Sequence, residues 1–236
     1  MLNRFKKFAI DRLAKNGRKV SRFPLGQYLF DLKIDSVLDV GANVGQYAKE
    51  IRFLDYRGQI ESFEPLPDVI KDLNLAAERD SNWRVHPFAL GAENCMLPIN
   101  ISNHSPSSSF LKLDSDIISE NETLATVSST QVAVKKLDDV YNEVCGSARN
   151  VYLKIDTQGF EKSVIEGASL SLKDIRAVQM ELALVANYES ETLVEEMMSL
   201  MRGSGFTPWW IMDGFRNPDS QQMYQAEVFF VKKACN

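Results

Sequence analysis

Asp156 lies in the run Lys154-Ile155-Asp156-Thr157-Gln158-Gly159-Phe160-Glu161, where an apolar stretch from Val151 ends on an acid and turns into a helical pattern over 160–167. In a parallel α/β sheet such an acid sits at the carboxyl edge of a strand, beside the crevice where ligands bind. It could accept a proton from a nucleophile. A carboxylate with a pKa near about 4 is a weak base toward a hydroxyl, so alignment and the local field would contribute most of any rate. Glu161 is the second catalytic candidate, although an acid in the first turn of a helix also stabilises the helix dipole whatever the function. Asp156 has a bland use too, as an N-terminal cap. Both are hard oxygen donors, so a divalent metal between them is chemically allowed, but two carboxylates without a third clear ligand do not indicate one.

A second group of residues would hold a ligand. Ser36-Val37-Leu38-Asp39-Val40-Gly41-Ala42-Asn43-Val44-Gly45 reads as strand, tight turn and helix start. Glycine at 41 and 45 permits backbone angles and a close ligand approach that a side chain would block, with helix N–H groups at the mouth of the turn. The dinucleotide fingerprint wants glycine where Asn43 and Gln46 stand, which counts against a nicotinamide-dependent oxidoreductase. Asp39 further suggests a ligand with positive charge at that end. Glu64, 23 residues beyond Gly41, ends the next strand-like run. There it would face the same ligand and accept hydrogen bonds from the two hydroxyls of a ribose.

Asp-Val-Gly-Ala-Asn-Val-Gly-Gln-Tyr at 39–47, Phe-Glu-Pro at 63–65, Ala-Leu-Gly at 89–91, Lys-Ile-Asp-Thr-Gln-Gly-Phe-Glu at 154–161 and Glu-Gly-Ala at 166–168 occur in that order. Together they resemble the FkbM family of S-adenosylmethionine-dependent methyltransferases over roughly residues 36–232. The resemblance implies a Rossmann-like class I methyltransferase fold, an α/β domain whose mostly parallel seven-stranded sheet carries an antiparallel edge strand and an inserted β-hairpin and loop. It implies S-adenosylmethionine as cofactor, held by Asp39, Gly41, Asn43, Gly45 and Glu64, with backbone near Ala89 against the base. It also implies O-methylation of a hydroxyl on a sugar, a glycan intermediate or another natural product. The family usually has Glu where this chain has Gln158. An N-methyltransferase with the same cofactor site and a non-catalytic binding module are the alternatives.

The intervening elements must position these residues. Helix 44–54, strand 59–64, helix 67–79 and strand 83–90 alternate, which argues for a parallel sheet with helices on both faces. The rhythm then breaks into strands 96–102 and 131–137 around a polar stretch containing Asn103-His104-Ser105-Pro106-Ser107-Ser108-Ser109-Phe110. A long polar insertion on the ligand face is a natural place for acceptor recognition, so Ser107, Ser108, Ser109 and Phe110 are substrate-binding candidates, and a similar serine pair in the family supports them. Strand 177–184, helix 191–201 and strands 207–212 and 227–232 complete the chain, the last two as an antiparallel pair. Glu181 interrupts an apolar strand and could line the cleft. Trp209, Trp210 and Phe215 could stack on a sugar or pack in the core. His86 and His104 have no recognisable partner in sequence.

Composition bounds the rest. With 236 residues and 44% apolar content the chain can bury the core of about one α/β domain. Three scattered cysteines, Cys95, Cys145 and Cys235, form neither a disulfide framework nor a zinc motif and fit a reducing cytoplasm. No apolar run approaches a membrane span. The net charge of −5 hides an asymmetry: residues 1–33 hold nine Lys or Arg against two acids, leaving 18 basic and 30 acidic residues in the remainder. We therefore divide the chain into a basic N-terminal helical segment or lid, 1–35, and a catalytic domain, 36–236. The apolar positions 2, 5, 8 or 9 and 13 make the first of these a cationic amphipathic helix. It could lie peripherally on an anionic membrane or pack over the cofactor cleft. An acidic body without a recognised module excludes nucleic acid as the expected partner, and leaves a small-molecule or glycan acceptor. Oligomeric state is not readable from these residues.

Overall fold

The computed structural model describes residues 24–102, 107–115, 117, 126–217 and 220–232. Residues 1–23, His104 and Cys235 lie outside these, and with them most of the basic segment.

Strand β1 (Ser36–Val40) is buried along its whole length, as a central strand covered on both faces must be. It pairs in parallel with β2 (Gln59–Phe63) and with β7 (Val151–Ile155). Beyond β2 lies β3 (Trp83–His86), and beyond β7 lies β8 (Ile175–Ala183), both parallel as well. The sheet order is β3-β2-β1-β7-β8-β10-β9, with β9 spanning Phe206–Asp213 and β10 spanning Gln225–Lys232. Strand β10 is antiparallel to both of its neighbours. The antiparallel strand thus stands one place in from the edge, and β9 forms the edge itself.

Side chains alternate across the strands and divide the core into two layers. One face carries Leu38, Val40, Leu153, Ile155, Val178, Met180, Val228 and Phe230. Helices α4 (Leu137–Cys145), α5 (Glu161–Glu166) and α6 (Val194–Gly203) cover it with residues such as Val140, Val164 and Met197. The other face carries Val37, Ile60, Tyr152, Ala177 and Phe229 under α1 (Leu25–Asp31), α2 (Gln46–Phe53) and α3 (Pro67–Ala77). Helix α1 is part of that layer. Tyr28 meets the rings of Tyr152 and Phe229 edge-on, at centroid distances of 6.2 and 6.3 Å. The described portion of the expected lid thus packs on this layer through Leu25, Tyr28 and Leu29 and also borders the crevice. Among the described residues no helix is long and apolar enough to cross a membrane.

The expected strand 83–90 is two strands. After His86 the chain passes Pro87, which cannot donate to a ladder, and β4 (Ala89–Leu90) joins a different sheet. That second sheet has the order β4-β6-β5 and contains the inserted hairpin, β5 (Cys95–Ser102) against β6 (Thr126–Lys135). Helix α4 is absent from the sequence reading, which runs a strand as far as Leu137.

Candidate active site

The sheet order reverses direction at β1 and β7, and the crevice opens there. Its wall includes Gly41, Ala42, Asn43, Glu64, Ala89, Ser108, Phe110, Lys154, Asp156 and Gln158. The structure thus brings together residues from five separated stretches. Asp39, Gly45, Ser109 and Glu161 stand behind the wall, and each has a structural partner.

The turn 41–45 is closed by contacts within the chain. Gly41 adopts φ +74, and a Cβ there would lie 1.9 Å from the carbonyl oxygen of Asp156. The close approach expected from a ligand is made by the chain itself. A Cβ on Gly45 would likewise strike the Trp83 ring at 2.7 Å. The N–H groups are also engaged: Gly41 and Ala42 donate to Phe63 O, Asn43 to Glu64 Oε2, Val44 to Asn43 Oδ1 and Gly45 to Ala42 O. These five N–H groups thus have partners within the chain, while Gly41, Ala42 and Asn43 still line the crevice. A turn whose donors are spent cannot cradle a pyrophosphate in the usual way.

What remains on offer is mainly acceptors. Glu64 is 5% exposed, and its carboxylate receives Asn43 N and Leu66 N, both at 2.9 Å. Burial pushes its pKa above the ordinary value, while these two backbone donors oppose the rise. Two carboxylate oxygens provide about four acceptor positions, so two stay available for hydroxyl groups. Around it Phe63, Pro65, Leu66, Ala89, Leu90 and Phe110 provide an apolar wall suited to a flat ring.

Beneath the crevice runs a polar row set by strand register. Ser62, Asp39, Lys154 and Gln179 are successive partners across β2, β1, β7 and β8. Trp83 Nε1 donates to Ser62 Oγ at 2.9 Å, and Ser62 Oγ donates to Asp39 Oδ2 at 3.3 Å. Lys154 Nζ lies 3.2 Å from Asp39 Oδ1 and 3.6 Å from Asp156 Oδ2, and donates to Gly41 O at 3.3 Å. Burial disfavours the ammonium, but Asp39 and Asp156 outweigh it and hold the Lys154 pKa above its usual value. The charge of Asp39, read from sequence as meeting a cationic ligand, is met by Lys154. Farther along, Tyr47 OH and Tyr152 OH both donate to Gln179 Oε1 at 2.8 Å, and Gln179 Nε2 donates to Glu227 Oε1 at 2.8 Å.

The turn after β7 is braced from three sides. Glu161 Oε1 accepts Thr157 N at 2.9 Å, Thr157 Oγ1 at 3.0 Å and Gly159 N at 3.3 Å. It holds the loop that carries Asp156 instead of facing the cleft. Ser109 Oγ donates to Gln158 O and accepts Leu111 N, so this buried serine pins the insertion to the turn. Phe110 packs on Phe160 at 4.6 Å between centroids. Ser107 gives its carbonyl to Tyr188 OH at 3.3 Å, and Ser108 reaches the cleft wall. Of the serine run, the structure turns Ser109 inward and leaves Ser108 and Phe110 at the crevice. His86 is structural in its surroundings: Nε2 sits 2.7 Å from buried Glu61, and the ring stacks on Phe63 at 4.7 Å.

Lys154, Gln179, Tyr188 and Glu227 were not assigned a role from the sequence. A lone lysine in the otherwise apolar run 151–155 was a usable signal, since a charge in a buried strand must be paired. Tyr188 and Gln179 gave none. Among the described residues no group of three or more His, Cys, Asp or Glu side chains is placed to hold a metal ion.

This sheet, with its crevice at β1 and β7 and an acid closing β2, is that of the Rossmann-like S-adenosylmethionine-dependent methyltransferases. Residues 39–208 match the family described as Methyltransferase FkbM domain, and the chain belongs to that family. Methyltransferase 1 of Beauveria bassiana (strain ARSEF 2860) is 26% identical over 142 residues, 56% of this chain and 57% of that protein. The chain thus spans little more than half the length of this relative. The structure is similar to that of magnesium protoporphyrin IX methyltransferase from Synechocystis PCC 6803 with bound cofactor, with a TM-score of 0.50 and 10% identity over 89% of this chain and 76% of that one. A further similarity, at a TM-score of 0.45 and 13% identity, is to Aeropyrum pernix fibrillarin with natively bound S-adenosyl-L-methionine, over 84% of this chain and 66% of that one.

Proposed function

We propose that the protein transfers a methyl group from S-adenosylmethionine to a hydroxyl on a sugar, a glycan intermediate or another natural product. The observation that carries the cofactor half is the chemistry of the crevice: its turn amides are spent, while Glu64 and Asp156 present carboxylates at its rim. Such a site suits a ligand with a ribose diol and positive charge, and disfavours a pyrophosphate. S-adenosylmethionine, when bound, supplies the activated methyl group. Glu64 would accept from the ribose, and the apolar residues near Ala89 would enclose the adenine. Asp156, at the carboxyl edge of β7 and 41% exposed at its side chain, faces the acceptor side and can take its proton. Ser108 and Phe110 would contact the acceptor.

A second reading, N-methylation, is favoured by one feature. Glu50, Asp156 and Glu227 line the cleft alongside a single wall lysine near them, Lys154, so the floor would attract an amine. Calorimetric titration with S-adenosylmethionine, S-adenosylhomocysteine and NADH tests the cofactor. Mass spectrometry of methylated products from parallel sugar and amine panels then tests the acceptor. Binding of NADH alone would overturn the proposal, and products confined to the amine panel would replace it by the second reading. On a productive acceptor, Asp156→Asn should retain cofactor affinity and lose methyl transfer.

A further inference from the structure

We propose that Asp156 and Glu181 work as one proton-accepting pair joined by the Gln158 amide, and that Glu181 is where the acceptor's proton comes to rest. The proton's source depends on the methyl-transfer reading above; the pairing itself does not.

The geometry is specific. Gln158 Nε2 donates to Asp156 Oδ1 at 2.8 Å and to Glu181 Oε2 at 3.3 Å, so two carboxylates converge on one neutral donor. Tyr188 OH donates to Gln158 Oε1 at 3.1 Å. A flipped amide would turn its oxygen toward both carboxylates, and their charge disfavours it. The backbone of Gln158 is held at φ +56, a conformation unusual for glutamine, and Ser109 holds its carbonyl. Strain maintained by several partners marks a position whose geometry matters.

Charge then dictates a shared proton. Facing Glu181 are Asp156 from the end of β7, Glu161 from α5 and Glu227, its register partner on β10, together with the neutral Tyr188 and Gln158. Lys154 is engaged by Asp39 and Asp156. Two carboxylates on one site cannot both ionise freely, and the second proton leaves late. Burial first, and then Asp156, Glu227 and Glu161, push the Glu181 pKa up to about 8. Below that pH Glu181 already carries a proton. Above it Glu181 is ionised, and a proton leaving the acceptor's O–H, whose oxygen keeps the electron pair, forms an O–H on Asp156 at the crevice wall, passes through crevice water to form the O–H on Glu181, and later returns to solvent.

The test is carbon-13 NMR of the full chain labelled in its glutamate carboxyls, with the Glu181 signal identified by its loss in Glu181→Gln. We expect its titration near pH 8. In Asp156→Asn the midpoint should fall by at least about one pH unit, because the like charge is gone. In Tyr188→Phe, which serves if the first variant fails to fold, the midpoint should rise as the amide loses its anchor. Glu181 titrating in the ordinary carboxyl range, or a midpoint indifferent to both variants, would overturn the proposal. Calorimetry of cofactor binding in buffers of different ionisation heat separates the two readings. Proton release with S-adenosylmethionine but not with S-adenosylhomocysteine, which lacks the sulfonium charge, supports the pair. Normal binding with an ordinary Glu181 titration rejects the pair and keeps the methyltransferase reading. Absent binding with a titration near pH 8 does the reverse.

Discussion

Asp39 and Lys154 are register partners on adjacent parallel strands, and their side chains meet at 3.2 Å with 0% and 8% exposure. The strand pairing that builds the sheet therefore also builds the ion pair under the crevice. Removing one partner of such a pair leaves an uncompensated buried charge. Lys154→Met should destabilise the protein by about 3 to 5 kcal/mol, read from urea unfolding. The double variant with Asp39→Asn should recover part of that loss. Equal destabilisation in both would show that the pair is not the cause.

Glu64 has a double duty that Glu64→Ala exposes. The variant should weaken S-adenosylmethionine binding by about 1 to 3 kcal/mol through lost charge-assisted hydrogen bonds. Asn43 N and Leu66 N lose their acceptor at the same time, so unfolding should also shift. Calorimetric affinity unchanged from the parent would remove Glu64 from the ribose site.

Glu161 predicts a pH dependence. Burial raises its pKa from the ordinary 4.5 to about 7 against the opposing backbone donors. The folded state then holds a proton that the unfolded chain has shed, so stability must fall as pH rises through that window. The contribution is fully present below about pH 4.5, and by about pH 7 a loss on the order of 3 kcal/mol is complete. Glu161→Gln keeps an oxygen on the three donors and should flatten this slope. Unfolding free energies at about pH 5 and about pH 8, compared between parent and variant, check it. A slope unchanged by the substitution would contradict the assignment.

Two glycines should respond in opposite directions to alanine. Gly41→Ala places a Cβ 1.9 Å from the Asp156 carbonyl at φ +74, and should cost well over the roughly 1 to 2 kcal/mol of the conformation alone. Gly203 ends α6 with nothing within 4 Å of a Cβ and no positive φ. Gly203→Ala should be neutral or stabilising by up to about 1 kcal/mol. Thermal melts of both variants distinguish them.

The parallel half of the fold was legible because its signals are local. Apolar runs reaching Val40, Phe63 and Ile155 mark strand ends, and the glycine or proline within a few residues of each marks a turn. Helix α4 carries the helical spacing Leu137, Val140, Tyr141 and Val144 after Lys135-Lys136, but a strand run on to Leu137 takes away its first residue and hides its start. The site divides the same way. Residues at strand ends were identified, whereas the engagement of the Gly41, Ala42 and Asn43 amides by Phe63 and Glu64 and the inward turn of Ser109 toward Gln158 depend on neighbours distant in sequence. Lys154 shows the difference most clearly. Its charge was visible, but only strand register revealed that Asp39 answers it.

Strand β10 lies between β8 and β9, although it follows both in the chain. During synthesis β9 therefore has no ladder to join until residues 225–232 have left the ribosome, and β8 waits with an open edge. Glu227 and its bond to Gln179 arrive with the same strand. The far wall of the crevice is thus the last part of the sheet to be completed.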